Sequence, residues 1–309
     1  MHAAIGGLSC SRVTRPSSFP PPAIPEYALV DSGGGEKLER FGSVLLRRPD
    51  PQALWRPAQP PEAWSRAELV FVRESDRGGR WEVSAGAQAA ARRGEWTMRV
   101  ESGVFLVRPT PFKHVGLFPE QHDNWRCVAR HARSFGVPRP RLLNLFGYTG
   151  VASVLAAQAG FEVAHVDASR TSIAWARDNV AASGLASGAL RVLVEDALTF
   201  ARREARRASR YHVVLLDPPH HGRGPKGERW QFEDDAAELV SAIRGLLHEQ
   251  ALVILSTYAI GCSPLTLENL LAELGEGELE AGELALQAEA GGRSLPAGFC
   301  ARWSRGLSR

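Results

Sequence analysis

Asp217-Pro218-Pro219-His220 follows directly on the apolar run Val213 to Leu216. Two prolines in series fix the backbone and contribute no N–H groups. A carboxylate and neighbouring carbonyl oxygens can therefore converge where a planar N–H or a ring nitrogen is held. His220 and His221 add imidazoles able to accept a proton near neutral pH, although a histidine that packs or faces water reads equally well there. Further upstream, the apolar run Leu142 to Phe146 leads into the turn Gly147-Tyr148-Thr149-Gly150. A small, apolar stretch from Val151 to Ala159 reads as a helix that Gly160 stops, and a second apolar run, Val163 to Val166, ends in Asp167, 20 positions after Gly147. An acid at that distance, on the tip of the second strand of a βαβ unit, is placed to bind ribose hydroxyls.

The turn itself narrows the nucleoside. A dinucleotide site requires G-x-G-x-x-G so that the backbone can approach a pyrophosphate. Here there is only G-x-x-G, preceded by Asn144, Leu145 and Phe146. The spacing suits S-adenosylmethionine, which has a ribose and an adenine but no phosphate. A nicotinamide cofactor is disfavoured. Taken alone, the stretch also fits an ordinary βαβ turn with a surface aspartate.

The elements that must position these residues alternate. Thr171–Ala182 reads as a helix capped from the Ser169/Thr171 region, and Leu190–Val194 as a strand ending in Glu195-Asp196. Ala197–Ser209 is an arginine-rich helix, followed by the strand Val213–Leu216, the helix Asp234–His248 and the strand Ala251–Ser256. Such alternation predicts a doubly wound, mostly parallel sheet with ligands at the carboxyl ends of its strands. Gly147, Asp167, Asp196 and Asp217 all fall at those ends. The arginines from 202 to 210 lie in the second half of their helix, where cations complement the dipole. Glu276–Arg309 reads as an antiparallel hairpin closing the sheet, with Cys300 and Trp303 as packing residues.

The first third differs. Tyr27–Val30, Ser43–Leu46, Leu69–Val72 and Val104–Val107 are strand candidates, with turns at Asp31–Gly35 and Asp76–Gly79, so residues 26–110 read as a small β-rich domain. Its four tryptophans, Trp55, Trp64, Trp81 and Trp96, fit a packed core better than base stacking. Residues 1–25 carry no acidic group, resemble no leader sequence, and are expected to be a disordered tail. Residues 111–309 form the second domain. Between the two, Phe112–Gln121 is an aromatic, Gly- and Pro-containing segment that reads either as a lid over the site or as a packed crossover.

Composition sets the outer bounds. The 309 residues are 44% hydrophobic, enough for a sizeable core. No apolar run reaches the ~20 residues of a membrane span, so a cytoplasmic protein is expected. Four scattered cysteines without a C-x-x-C spacing argue against a zinc site, and no metal is expected. Residues 1–110 hold 15 basic and 12 acidic groups and residues 111–309 hold 22 of each, so the net charge of +3 comes from the first third. That excess is too small to identify a nucleic-acid partner by itself.

NLFGYTG, HVDAS, WARDNVAASGL, EDALTF, LLDPP and GRGPKGERWQ together resemble the class I S-adenosylmethionine-dependent methyltransferases, specifically the large-subunit ribosomal RNA methyltransferase family. KLERFG, RPDPQALW and GLFPEQ resemble the upstream part of one branch, so the likeness covers about residues 26–309. It implies a seven-stranded Rossmann-like sheet, methyl transfer to RNA, and a set of roles. Asn144, Phe146, Gly147, Tyr148, Thr149 and Gly150 would wrap the methionine moiety, and Asp167, with Ala168 and Ser169, would bind the ribose. Asp196 and Ala197 would meet the adenine, while Phe118 and Gln121 would border the cofactor. From the residues themselves, Asp217, Pro218, Pro219 and His220 are placed to orient the acceptor, Asp217 also bordering the cofactor, with His221, Arg223 and Lys226 as substrate contacts. Two departures matter. Ser256-Thr257-Tyr258 stands where relatives that methylate cytosine C5 carry a nucleophilic cysteine, with only Cys262 nearby, which favours nitrogen over carbon as acceptor. His220-His221 replaces a lysine or small residue followed by phenylalanine. A small-molecule or protein acceptor, or a non-catalytic RNA-binding module, are the alternatives.

Overall fold

The computed structural model describes residues 18–75, 78–258 and 261–307. Its first part comprises β1 (Tyr27–Gly33), β2 (Glu36–Phe41), β3 (Val44–Pro49), the one-turn helix α1 (Pro61–Trp64), β4 (Leu69–Ser75), β5 (Gly78–Val83), α2 (Ala89–Arg93), β6 (Trp96–Val100) and β7 (Gly103–Val107). Strands β1 to β5 form one sheet in sequence order, and β6 and β7 form a separate hairpin. A 3-10 turn at Pro119–Gln121 leads into α3 (His122–His131). There follow β8 (Arg141–Leu145), α4 (Val151–Gln158), β9 (Glu162–Asp167), α5 (Arg170–Ala182), β10 (Leu190–Val194), α6 (Ala197–Arg206) and β11 (Tyr211–Leu216). The chain ends with the short hairpin β12 (His221–Arg223) and β13 (Arg229–Gln231), then α7 (Phe232–Arg244), β14 (Leu247–Thr257), α8 (Pro264–Ala272), β15 (Glu278–Gln287) and β16 (Ser294–Arg305).

The main sheet has seven strands in the order β10-β9-β8-β11-β14-β16-β15. The first five are parallel, and β16 runs antiparallel to both its neighbours. This is a mostly parallel, Rossmann-like sheet closed by a C-terminal hairpin. Successive strand residues point to opposite faces, and both faces are covered. Leu142, Val213, Leu215, Leu252 and Ile254 pack on one side with Val154 and Leu155 of α4. Leu143, Val214, Leu216, Val253 and Leu255 pack on the other with Phe200 of α6, Leu239 of α7 and Leu267 of α8. Strand β8 has β9 on one side and β11 on the other, so the winding reverses between β8 and β11. A crevice opens at that switch point outside the carboxyl ends of the strands. The glycine turn leaves from β8 and Asp217 from β11.

The N-terminal sheet is not packed separately. Phe41, Val44 and Leu46 share one apolar cluster with α4 and with Val180 of α5. Hairpin β6–β7, which the sequence assigns to the first domain, hydrogen-bonds to α5: Leu106 N–H donates to Asn179 Oδ1 (2.9 Å), Trp175 Nε1 to the Leu106 carbonyl (3.2 Å) and Val104 N–H to Ser183 Oγ (3.0 Å). Packing is therefore continuous across the boundary expected at residue 110. Of the expected tail, residues 18–25 are placed against the rest of the chain. Residues 1–17 lie outside the described residues, but Phe19 is 1% exposed beneath the Arg302 guanidinium, and its N–H donates to the Glu283 carbonyl (2.8 Å).

Strands β2 and β5 carry no apolar alternation clear enough to read, whereas β6 alternates plainly, with Trp96, Met98 and Val100 buried and Thr97 and Arg99 exposed. In β2 the charged Glu39 is fully buried because Tyr27 Oη donates to it (2.9 Å) and Arg48 pairs with it (2.6 Å). The expected turn at Asp31–Gly35 tightens to Gly34-Gly35, since β1 continues through Gly33. In the turn expected at Asp76–Gly79, Asp76 and Arg77 lie outside the described residues, and Gly78 and Gly79 belong to β5. Trp64 and Trp96 are buried, and Trp55 and Trp81 are half-buried with their indole N–H groups on backbone carbonyls. On α6, Arg202 pairs with Glu238, Arg203 with Glu195 and Arg207 with Glu204. Among the described residues no helix is long and apolar enough to cross a membrane.

Asn179 makes the tightest link between hairpin and sheet. Fully buried on α5, it accepts from Leu106 N–H and donates Nδ2 to the Thr149 carbonyl in the glycine turn (2.8 Å). Asn179→Ala leaves two backbone groups unpaired, the buried Thr149 carbonyl and the half-buried Leu106 N–H. We expect a loss of about 2–4 kcal/mol in urea unfolding; a change below ~0.5 kcal/mol would show that the link is dispensable.

Candidate active site

The glycine turn rests on a buried polar stack. Asn144 Nδ2 donates to Ser153 Oγ (2.9 Å), which in turn meets His165 Nδ1 (2.9 Å), and all three residues are buried. Burial pushes the His165 imidazole down to about 4, so the ring is neutral. A Cβ on Gly147 would lie 2.3 Å from the His165 ring, which explains why only glycine lets the backbone settle there. On either side, Phe146 (φ +59°) and Tyr148 (φ +50°) adopt left-handed conformations. For non-glycine residues this costs of order 1–3 kcal/mol each and is held only where the surroundings demand it. Here Phe146 packs its ring on Trp230 (4.9 Å), and Tyr148 N–H donates to Asp167 Oδ2 (2.8 Å).

Asp167 ties the tips of β8 and β9 together, since its Oδ2 accepts from Tyr148 N–H after β8 while its Oδ1 accepts from Ser169 N–H (2.8 Å) after β9. Burial raises its pKa while the two amides oppose that shift. Each oxygen keeps lone-pair capacity toward the cavity. Ser169 caps α5 through Ser172 N–H, and Asp196 caps α6 through Thr199 N–H. These caps fix side chains at the mouths of β9 and β10.

Asp217 stands across the crevice. Its Oδ1 is buried without a hydrogen-bond partner. Burial raises its pKa to about 7; nearby Glu120 pushes in the same direction and a hydrogen bond from Ser256 opposes it. Carboxyl groups of this kind, desolvated and aimed at a cleft, are suited to accepting an N–H of a ligand. Of the oxygens expected to converge there, the Pro219 carbonyl is taken by Trp230 Nε1 (2.8 Å). Trp230 and Phe232 are buried beneath the loop.

The main cavity at this edge, about 930 Å³, is lined by Phe118, Phe146, Tyr148, Asp167 and Asp217 among others. Ala168, Ser169, Asp196 and Ala197 reach it from the β9 and β10 side, and Pro218, Pro219, His220 and Arg223 from the other. A smaller adjoining pocket of about 60 Å³ brings in Gln121, Asn144, Gly147 and Thr149. Gly150 lines neither pocket; it packs on Ala176 of α5. His221 and Lys226 line neither pocket as well, being exposed on the β12–β13 hairpin. His220 is oriented by Glu233, with Nε2 2.8 Å from Oε1. Gln121 braces the floor by donating Nε2 to Ser256 Oγ (2.9 Å) and Tyr258 Oη (3.2 Å).

Other residues of the site escaped the sequence. Tyr258 and His114 pack their rings on Phe118 at 5.8 and 5.2 Å, giving the cavity aromatic walls suited to a cation. Glu120, buried beside Asp217, also has its pKa raised by burial. Lys37, Arg48 and Asp50 enter from β2, β3 and the turn after it. Glu120 and His114 lie within Phe112–Gln121, and Lys37, Arg48 and Asp50 within KLERFG and RPDPQALW, but no local signal gave any of them a role. Cys262 lines the cavity too, and burial raises its thiol. A nucleophilic cysteine needs the opposite shift. Taken together, the arrangement can hold a nucleoside by its ribose at Asp167, a cation among aromatic rings, and a planar acceptor at Asp217.

No family model matches the chain. It is similar over almost its whole length to an S-adenosylmethionine-dependent methyltransferase from Agrobacterium tumefaciens, with 35% identity and a TM-score of 0.86, covering 97% of this chain and 99% of that one. A methyltransferase solved with S-adenosylhomocysteine shares the fold at a TM-score of 0.65 and 18% identity, over 88% of this chain and 71% of the other. Among curated proteins, ribosomal RNA large subunit methyltransferase I of Aeromonas salmonicida is 29% identical over 218 residues, 64% of this chain and 50% of that protein. Ribosomal RNA large subunit methyltransferase K/L of Shewanella frigidimarina is 30% identical over 154 residues, 49% of this chain and 21% of that protein. The chain thus spans between a fifth and a half of the length of these curated relatives.

Asp217 gives a pH-dependent test. Its folded pKa, about 7, lies above the ordinary 3.8, so its contribution to stability is intact below pH ~4 and lost as pH rises through 7. Asp217→Asn removes that loss. Its melting temperature should match the parent near pH 4 and exceed it by roughly 3–6 °C above pH 7. A gap independent of pH would mean that Asp217 is solvated in the folded protein.

Proposed function

The chain belongs to the S-adenosylmethionine-dependent methyltransferases, and from that premise we propose that it methylates a nitrogen of RNA, with ribosomal RNA as the substrate, by direct in-line displacement. S-adenosylmethionine supplies a methyl group carried on a positively charged sulfur. In this reading Asp167 holds the ribose, the Gly147 turn with Asn144 and Thr149 wraps the methionine part, and Asp196 with Ala197 meets the adenine. Phe118 and Tyr148 shield the charged sulfur from water, which favours alignment and desolvation as the sources of rate. Asp217 and the Pro218 carbonyl orient the acceptor.

The observation that carries the choice of nitrogen is the unpaired Oδ1 of Asp217, set in a site where the one nearby thiol has a raised pKa. Methylation of a pyrimidine carbon needs a thiolate to add to the ring first. A nitrogen already has a lone pair. An exocyclic amine would pass its proton to Asp217 or to His220, whereas an unprotonated ring nitrogen would release none. In both cases an ionised Asp217 accepts from the N–H groups of the base and fixes its plane. The choice of RNA rests on the two curated relatives named above and on the lysines and arginines that face the cavity. Arg223 is the strand-end contact to the chain, with His221 and Lys226 on the exposed hairpin reaching RNA outside the cavity.

Two measurements test this. Ribosomal RNA from a strain lacking the gene, incubated with the protein and S-adenosylmethionine, should gain one N-methylated nucleoside by mass-spectrometric mapping, while RNA from the parent strain gains none. A C-methylated product, or no product, rejects the proposal. With that substrate, kcat/KM should rise about tenfold per pH unit below 7 and level off above it, following ionisation of Asp217. A flat profile between pH 5.5 and 8 would remove Asp217 from the acceptor site.

A further inference from the structure

We propose that Lys113, with Lys37 beside it, forms an anion subsite in the wall that the N-terminal strands contribute to the cavity, and that it takes a phosphate of the RNA chain next to the target base. This rests on the RNA reading above. Lys37, Arg48 and Lys113 all line the cavity that holds Asp167 and Asp217.

Charge accounting singles out Lys113. Arg48 is committed to Glu39, with Nη2 2.6 Å from Oε2, and Lys37 lies 3.4 Å from Asp50 and 3.7 Å from Glu39. Lys113 has only the Pro49 carbonyl, 3.1 Å from Nζ, and among the described residues it forms no ion pair with a carboxylate. Three cations therefore face two carboxylates, Glu39 and Asp50. The third nearby acid, Glu120, is driven toward its neutral form by burial. Burial, with Lys37, Arg48 and Arg73 adding repulsion, pulls the Lys113 ammonium down to about 8, against the weaker attraction of Asp50, which Lys37 already holds. An unpaired, desolvated cation is costly unless an anion completes it.

The geometry is also fixed in advance. Lys113 has a left-handed backbone (φ +65°), which a non-glycine residue keeps only under constraint. Its N–H donates to the Thr110 carbonyl (3.2 Å), and its own carbonyl accepts from Arg48 Nη1 (3.1 Å). Arg48 is thus a positioning residue for the lysine. One step outward, Phe112 is 62% exposed. An exposed aromatic beside a lysine matches the alternation of stacking and phosphate contact that single-stranded nucleic acid uses.

The test compares Lys113→Met, which keeps the stem, with Lys113→Arg, which keeps the charge, in the full chain. With the ribosomal RNA substrate, Lys113→Met should raise KM about tenfold and reduce the slope of log affinity against log salt by roughly 0.7. S-adenosylhomocysteine affinity by calorimetry should stay unchanged, and Lys113→Arg should recover most of the loss. An unchanged KM overturns the subsite. A fall in S-adenosylhomocysteine affinity would assign the cation to the donor and overturn it as well. If the parent methylates no RNA, the RNA reading fails on its own, and the subsite is judged with nucleoside 5′-monophosphates against nucleosides. Tighter monophosphate binding by the parent, lost in Lys113→Met, supports it; equal binding overturns it.

Discussion

The site depends on the contact between a glycine backbone and an imidazole face. Because Gly147 has no Cβ, the turn after β8 can lie directly on the His165 ring, and the ring is held from below by Ser153 and Asn144. That seat forces Phe146 and Tyr148 into left-handed backbone conformations, and the strain is sustained because each neighbour is anchored elsewhere, one on Trp230 and the other on Asp167. The hydrogen bonds from Asn144 through Ser153 to His165 Nδ1 fix the ring's orientation more sharply than apolar packing would, although His165 Nε2 itself has no partner. The turn is therefore built as a rigid shelf, and Asp167 is fixed by the same amides that fix the shelf.

Around that shelf the protein concentrates buried ionisable groups, two of which, Asp217 and Lys113, it does not fully pair. Asp217 and Glu120 are buried carboxyls whose pKa values are raised, and Lys113 is a partly buried amine whose pKa is lowered. All three departures point the same way, toward the neutral form, as desolvation requires. Elsewhere the chain shows that it can satisfy buried charge when stability is the only demand: Glu39 has both Tyr27 and Arg48, and Arg302 has both Asp123 and Asn124. The difference between those satisfied pairs and the incomplete ones lining the cavity is the physical signature of a place meant for a ligand.

The half of the site built from successive strands was legible because its signals are local. A strand, a glycine turn and an acid 20 positions on must meet whenever the segment forms a βαβ unit, and Asp217 follows from the next strand in the same sheet. The other half depends on contacts between residues distant in the chain. Lys37 and Arg48 sit on strands whose charged pattern hides their burial, and Lys113 lines the cavity with its carbonyl held by Arg48, 65 positions away in the chain. Gly150 was legible as part of the motif but serves packing on Ala176. His221 and Lys226 were legible as basic loop residues, yet the β12–β13 pairing places them on the exposed side. Sequence spacing gives the reach of a side chain along its own element and says nothing about which face a short hairpin will present.

The continuity of the core explains why the two halves of the cavity can hold a fixed separation. If β1 to β5 were joined to the main sheet by a linker alone, Lys113 and Asp217 would belong to bodies free to move against each other, and their spacing would carry no specificity. Instead, Phe41, Val44 and Leu46 share an apolar cluster with α4 and α5, and hairpin β6–β7 is bolted to α5 through Asn179, Trp175 and Ser183. Asn179 also grips the Thr149 carbonyl in the glycine turn, so one side chain connects the hairpin leading out of the N-terminal strands to the shelf at the edge of the cavity. A rigid wall facing a rigid shelf can select a ligand by its length between charge and reacting atom, as a preorganised site requires.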